Sequence, residues 1–390
     1  MPPLGIELGK EPALALVDGV VRQTFALDRY FAHVGSDYPT TYCGSLEEFF
    51  SHWAAALEIS PSARQAFVGE RAGEARRAAE AGQGGIYGVN FPGRGCYING
   101  WLFALTAGVA DAAAALGDAL VFSRIISTIV HEKWGHGFIA LYTAAGREKQ
   151  QLDLWQLDVA QRFGQRLSED PQSALLRQKL NLLGYTSRYL EEGWATWIEH
   201  YVTSRVYYTW DGQHAVPHPP QQAYKLADVW EAIERLKLHH PTGEVRIMLD
   251  DLSWALQVLF LADSPEVADV HRATLILQAV EQHLAQPMGQ MLGQPLPYAL
   301  GDLTMQRIES QQGAFCVPYA VAVAANVDFG VSNMALADLH QLVHTDPRYN
   351  LDSRLLLLSQ LRLDEPGSVR ELTHRAREQL SLAVPDAFGQ

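Results

Sequence analysis

An apolar helix that carries two histidines and a glutamate constrains this sequence more than any other feature. The predicted helix covers about residues 121–144, and residues 131–136 within it read HEKWGH, an H-E-x-x-G-H motif. Apolar side chains flank the motif on both sides, so the helix should be buried over much of its circumference. Because buried polar groups need partners, the sequence predicts a polar or metal-binding site around this motif.

The spacing of the two histidines is unusual for a helix that binds a metal. Each residue turns a regular α-helix by about 100°, so residues i and i+4 share a face, whereas i and i+5 diverge by about 140°. His131 and His136 are five positions apart. A π-type bulge, which adds one residue to a turn and is frequent at functional sites, would bring them together. We therefore expect such a bulge between the two histidines, with Gly135 as the residue whose backbone deforms most easily.

A second helix, predicted over about residues 186–208, contains candidates for a further ligand. Residues 189–201 read YLEEGWATWIEHY. Glu192 and Glu199 are seven positions apart and share one helix face, and Tyr189 lies close to that face. A catalytic zinc site takes three protein ligands and leaves one position open for water. The carboxylates of this helix are thus candidate ligands, and the small Gly193 suits close approach of another helix.

The two motifs together resemble the dipeptidyl peptidase III family, zinc metallopeptidases of the gluzincin group. In that family a glutamate pair follows the H-E-x-x-G-H motif, as Glu191-Glu192 does here, and Glu192 lies 56 positions after His136. The E-G-x-A run at residues 192–195 is also similar to the corresponding helix of gluzincin aminopeptidases. The resemblance covers about residues 118–208, and this chain has Gly193 and Trp194 where the family has cysteine and arginine. It implies a gluzincin-like core with a C-terminal helical lobe. The helical patterns along the chain, with few strand signals, independently predict a mainly α protein with a minor β component.

The resemblance also implies how the motif residues bind a cofactor. It makes Zn²⁺ the cofactor and His131, His136 and Glu192 its ligands. It makes Glu132, which directly follows the first ligand, the general base. Two imidazoles and one carboxylate are a common ligand set of catalytic zinc.

Three further residues complete the predicted site. Ligand histidines usually donate their second N–H to a carboxylate or carbonyl. Glu191, by analogy with the first glutamate of the family's pair, and Glu199, from its helix face, are expected to support the ligands in this way. For Glu199 a salt bridge with an arginine is the alternative. An oxyanion needs a donor besides the metal. Of the tyrosines and histidines in and after the second motif, we name Tyr189 as the catalytic residue; the alternatives are Tyr185, Tyr201, Tyr207, Tyr208, His214 and His218.

These residues predict a zinc-dependent hydrolase, a metallopeptidase that cleaves peptide or small amide substrates with water. A non-haem Fe(II) oxygenase is one alternative, because two histidines and a carboxylate also form the ligand set of that class. A helical scaffold with a vestigial metal site is another. Glu132 favours hydrolysis, since oxygen activation needs no general base at that position. The sequence specifies neither the substrate nor the oligomeric state.

Composition excludes other partners and indicates a compartment. The net charge is −14, from 30 basic and 44 acidic residues, which argues against binding to nucleic acid. No run of about 18 apolar residues predicts a membrane span, and the N-terminus lacks the pattern of a signal peptide. The three distant cysteines, Cys43, Cys96 and Cys316, predict buried free thiols. We expect a cytoplasmic protein that binds no membrane.

The domain boundaries follow from turn signals and prolines. We expect a catalytic domain over residues 1–210, a linker over 211–222 with three prolines nearby, and a helical domain over 223–390. The first domain should open with a hairpin around Asp18-Gly19. The glycine-rich residues 82–100 are either a loop or an extended edge segment. Further helices are expected over about residues 45–58, 60–81, 150–166, 172–183, 223–237, 245–263, 266–285, 303–325, 335–345, 352–362 and 367–383.

Overall fold

The computed structural model describes slightly more than half of the chain. The described residues are 40–91, 94–142, 189, 191–204, 207–210, 214–217, 223–262, 265–312, 314, 317 and 321. They are mainly helical with a small β component, as the sequence predicts. The expected hairpin around Asp18-Gly19 and the expected helices at residues 150–166, 172–183 and 335–383 lie outside the described residues. Among the helices that are described, none is both long and apolar enough to cross a bilayer.

The chain divides into two compact units. Unit 1 comprises Met1–Leu141 and Ala195–Gln222, and unit 2 comprises Tyr142–Trp194 and Ala223–Gln390.

A three-stranded sheet lies in unit 1. Its strands are β1 (Thr40–Cys43), β2 (Gly88–Phe91) and β3 (Gly95–Asn99), in the order β1-β3-β2. β1 runs parallel to β3, whereas β2 is antiparallel to it. All five residues of β3 are buried, as expected of a central strand. Both β2 and β3 fall in the glycine-rich segment, so the extended alternative for that segment is confirmed.

Four described helices precede the motif helix in unit 1, and side-chain caps define where several of them begin. Ser45 accepts a hydrogen bond from the backbone of Glu48, which confirms the predicted N-cap. Asn99 and Asp111 cap two later helices in the same way. These helices are α1 (Leu46–Ala56), α2 (Pro61–Glu80), α3 (Gly100–Ala107) and α4 (Ala112–Gly117).

The motif lies in a long helix with an irregular middle. α5 (Ala119–Ile129) leads directly into a π-helical segment, π1 (Val130–His136), which continues as α6 (Gly137–Tyr142). Residues 191–203 form a further helix, α7. α7 ends before the predicted residue 208, because β4 (Tyr207–Trp210) pairs there with β5 (His214–Pro217). β5 therefore lies inside the segment predicted as a linker.

The described helices of unit 2 form their own hydrophobic core. Buried side chains of this core include Leu249, Leu252 and Leu277. Arg307 donates a hydrogen bond to the carbonyl of Phe260 at 2.9 Å, next to the end of a second π-helical segment. The elements are α8 (Leu226–His239), α9 (Glu244–Leu256), π2 (Gln257–Leu261), α10 (Val267–Leu292) and α11 (Leu296–Gln312).

Candidate metal centre

The π-helical segment π1 changes the direction of the two motif histidines. The backbone N–H of Gly137 donates to the carbonyl of Glu132, a hydrogen bond from residue i to i−5. This pattern winds the chain more loosely than an α-helix and realigns residues five positions apart. The imidazole rings of His131 and His136 consequently meet with their centroids 5.0 Å apart and their planes at 75°. The π-bulge predicted from the spacing is confirmed.

Three potential metal donors lie together around this segment. One nitrogen each of His131 and His136 and one carboxylate oxygen of Glu192 all lie within 4.8 Å of one another. Two imidazoles and one carboxylate suit a borderline divalent ion such as Zn²⁺ or Fe²⁺, and three protein donors leave coordination positions for water or substrate. The donor set thus fits the predicted cofactor, and the same set accommodates either metal.

The carboxylate of Glu199 contacts the ring nitrogen Nδ1 of His131. His131 Nδ1 lies 3.0 Å from Glu199 Oε2, and Ser127 Oγ donates to Glu199 Oε1. Burial raises the pKa of Glu199, but its hydrogen bonds and charge interactions with His131, with contributions from Ser127 and His200, outweigh burial and hold the pKa below its usual range. An ionised carboxylate only accepts hydrogen bonds, so when His131 is neutral, as a metal ligand must be, its proton resides on Nδ1. Nε2 is then the ring nitrogen with a lone pair for a metal.

Small residues allow π1 and α7 to approach each other closely. A Cβ atom on Gly135 would lie 2.4 Å from Cβ and 2.6 Å from Cα of Ala195. The glycine of the first motif and the alanine of the second therefore face each other across one helix contact. The sequence predicts that Gly135 allows the helix backbone to deform. The structure adds that its lack of a side chain allows close contact with Ala195. Nearby Trp134, Trp194 and Trp197 are all buried, so they belong to the core.

The predicted general base lies beside a sheet edge. A Cβ atom on Gly88 of β2 would lie 3.0 Å from Cγ of Glu132 and 2.8 Å from Cγ2 of Thr128. β2 therefore lies close to the motif helix at Gly88, where a Cβ atom would force a neighbouring side chain to shift. Among the described strands β2 pairs with β3 alone, and its other edge faces away from the sheet.

The structure places Tyr189 in a different role from the predicted one. Its side chain is only 3% exposed and packs in the core of unit 2. Its hydroxyl donates to the carbonyl of Leu277 on α10 at 3.2 Å. A phenol bound to a backbone carbonyl in a core is poorly placed to stabilise an oxyanion, so we assign Tyr189 to packing. Glu191 lies partly buried beside Glu192, and its predicted supporting role stays a prediction.

Sequence reasoning missed three residues that shape the site. Ser127 precedes His131 by one helical turn, so the i, i+4 rule applied to the motif helix would have found it. His200 follows Glu199 directly and lowers the pKa of that carboxylate. The contact of Gly88 with the motif helix depends on sheet pairing between distant residues, which no local pattern indicates.

Comparisons with known proteins identify no relative of this chain. No protein-family model matches the chain, and neither a curated protein nor a solved structure matches it significantly. The resemblance to gluzincins therefore rests on the motif residues themselves.

Proposed function

We propose that this protein is a zinc-dependent hydrolase that cleaves peptide or small amide substrates. The observation that supports this most strongly is the convergence of His131, His136 and Glu192 through a π-helical segment inside an H-E-x-x-G-H motif. π-Helical segments are rare and concentrate at functional sites. The supporting carboxylate of Glu199 on His131 is the arrangement that ligand histidines usually have.

The proposed chemistry divides between the metal and the protein. Zn²⁺ held by His131, His136 and Glu192 would polarise the scissile carbonyl and lower the pKa of a coordinated water molecule. Glu132 would accept a proton from the attacking water at its carboxylate and deliver it to the leaving nitrogen. Glu199 would hold the proton on Nδ1 of His131 and fix the orientation of that ring.

The edge of β2 is the proposed binding surface for an extended substrate. β2 lies against the helix at Glu132, and its outer edge is unpaired among the described strands. A peptide added along this edge would form main-chain hydrogen bonds, which give affinity without demanding particular side chains. A peptide bond would then pass close to the proposed general base. This geometry favours a peptide over a compact amide.

The first experiment measures metal content and cleavage on the purified full chain. We expect about one equivalent of zinc to depend on His136 and Glu192, so that His136→Ala and Glu192→Ala each lose it. Incubation with a mixture of peptides, with products read by mass spectrometry, should reveal metal-dependent cleavage that a chelator abolishes. Stoichiometric iron with little zinc would instead favour the oxygenase alternative.

The second experiment separates catalysis from metal binding. Glu132→Gln should keep zinc at the wild-type level and lower the cleavage rate by about 100-fold or more, because general bases contribute about 10²–10⁴-fold. Glu70→Gln is the control: Glu70 lies on the exposed face of α2, distant from Glu132 in the sequence. This variant should leave the zinc content and the cleavage rate unchanged. Wild-type cleavage by Glu132→Gln would contradict the proposed role of Glu132. Zinc binding without any cleavage of peptides would favour the scaffold alternative.

A further inference from the structure

A second group of potential metal donors lies outside the H-E-x-x-G-H motif. The thiol of Cys43, a carboxylate oxygen of Glu48 and a ring nitrogen of His52 all lie within 4.8 Å of one another. Cys43 is the last residue of β1, and the other two lie on α1. All three residues belong to unit 1. None of them contributes to the proposed hydrolytic chemistry.

Ordinary helix geometry explains why these donors converge. Glu48 and His52 are four positions apart in a regular α-helix, so their side chains share one face. The cap on Ser45 fixes the beginning of α1, and Glu48 Oε2 accepts a hydrogen bond from Gly44 N at 2.7 Å. This bond turns the Glu48 carboxylate back towards the end of β1, where Cys43 lies. Backbone hydrogen bonds to Ser45 and to Glu48 therefore fix the position of α1 and of the Glu48 carboxylate.

The donor atoms remain available for a further ligand. The His52 ring stacks on Tyr97 of β3, with centroids 4.7 Å apart and planes at 15°, which fixes the ring but uses neither nitrogen. Neither nitrogen of His52 forms a hydrogen bond within the described parts of the chain. The backbone bond from Gly44 occupies Glu48 Oε2 and leaves Oε1 for another partner. Cys43 is a buried free thiol, so the group combines a buried sulfur donor with two partly solvated ones.

A nucleophilic role for Cys43 does not fit these surroundings. Reactive cysteines are partly exposed and have a lowered pKa. Here burial, with a smaller contribution from the charge of Glu48, raises the pKa of Cys43 to about 12, and the residue has no exposed surface. This group therefore does not form a thiol–imidazole–carboxylate catalytic triad, whereas a bound cation would itself deprotonate a coordinating thiol.

We propose that Cys43, Glu48 and His52 bind a second Zn²⁺ ion. Sulfur, nitrogen and oxygen donors in a mixed set suit this borderline-soft ion, and water would complete its tetrahedral coordination on the exposed side of Glu48. The ion would link the end of β1 to the first turns of α1. The stacking of His52 on Tyr97 extends that link to β3. This proposal stands independently of the hydrolase proposal, because no donor is shared between the two groups.

Cobalt substitution of the full chain tests the second site directly. The metal-free protein is titrated with Co²⁺ and followed by absorption, since a thiolate bound to Co²⁺ gives a charge-transfer band in the near ultraviolet. Of the two donor groups among the described residues, only that of Cys43, Glu48 and His52 contains sulfur, so this band distinguishes it from the H-E-x-x-G-H group. We expect two equivalents of Co²⁺ in all, one of which produces the band. His136→Ala should lose one equivalent and keep the band.

Matched cysteine variants assign the band to its residue. Cys43→Ser should lose the band and one equivalent of Co²⁺, whereas Cys96→Ser, which changes another buried thiol, should lose neither. Glu48→Gln and His52→Gln retain the thiol and should weaken cobalt binding at this site, which tests the proposal even if Cys43→Ser fails to fold. A wild-type protein without the band, or a band that survives Cys43→Ser, would overturn the proposal. Loss of hydrolysis with the band intact would count against the first site only.

Discussion

At the scale of single residues, the contact between Glu199 and His131 decides which nitrogen of the imidazole can bind a metal. The carboxylate accepts from Nδ1 and is itself held by the Ser127 hydroxyl. Together they fix both the tautomer and the ring orientation. A metal ligand held in this way needs less ordering when the ion binds, which increases affinity.

Changing Glu199 should therefore weaken metal binding without unfolding the protein. Glu199→Gln preserves the shape and can still accept a hydrogen bond but loses the negative charge, so we expect the metal affinity to fall by about 10–100-fold. Ser127→Ala leaves the carboxylate in place and should cost less than tenfold. The measurement is competition with a chelator of known affinity, with circular dichroism to check folding.

A serine on the same helix provides the control for these variants. Ser123 is buried on α5 and donates to the carbonyl of Leu120 at 2.7 Å. Ser123→Ala should leave the metal affinity at the wild-type value. If Glu199→Gln binds metal as tightly as the wild-type protein does, Glu199 does not support the site.

At the scale of elements, the close approach of π1 and α7 depends on Gly135. Its substitution by alanine would place a Cβ atom 2.4 Å from Ala195 Cβ and 2.6 Å from Ala195 Cα. Neither atom is the end of a flexible side chain, so the two helices must move apart. We expect Gly135→Ala to lower the free energy of unfolding by about 1–3 kcal/mol, the usual cost of overpacking, and to weaken metal binding as well.

A glycine in α2 separates this steric effect from the general effect of the substitution. A Cβ atom added to Gly69 would meet no other atom within 4 Å, and alanine is favoured over glycine in helices by about 1 kcal/mol. Gly69→Ala should thus leave the protein equally or more stable, as measured by urea unfolding. Equal stability of Gly135→Ala and the wild-type protein would show that the helix contact tolerates a methyl group.

Local sequence patterns were enough to predict the elements that local chemistry determines. The cap at Ser45 and the π-bulge at residues 131–136 follow from side chains a few positions apart, and both are confirmed. The close approach at Gly193 is confirmed too, because a Cβ atom there would lie 2.4 Å from the Gly301 backbone. The shared face of Glu192 and Glu199 likewise follows from helix periodicity.

Elements that depend on tertiary contacts were predicted poorly. The helix expected to end near residue 285 continues as α10 through Pro287 to Leu292, since Met288 is fully buried in the core of unit 2. β4 and β5 occupy a segment without clear periodicity, although Asp211-Gly212 between them is a common hairpin signal. The packing role of Tyr189 depends on Leu277, 88 positions away. No periodicity within one segment contains that information.

At the scale of the whole molecule, a metal that binds only the folded chain should raise its stability. The donor atoms of His131, His136 and Glu192 are brought together by the fold, since His136 and Glu192 are far apart in the sequence. An ion held there stabilises the folded state by mass action, by about 4 kcal/mol when free metal exceeds the dissociation constant a thousandfold. Stability should therefore depend on metal concentration, which offers a readout that needs no substrate.

Two isosteric variants test whether this metal-dependent stability comes from the group of His131, His136 and Glu192. Glu132→Gln keeps all three ligands, so addition of a chelator should lower its melting temperature as much as that of the wild-type protein. Glu192→Gln replaces a charged ligand by a neutral amide, a weaker donor, and its chelator-induced shift should be clearly smaller. Any metal at the Cys43 group contributes equally to all three proteins and cancels in the comparison. Equal shifts in the two variants would mean that Glu192 is not a metal ligand.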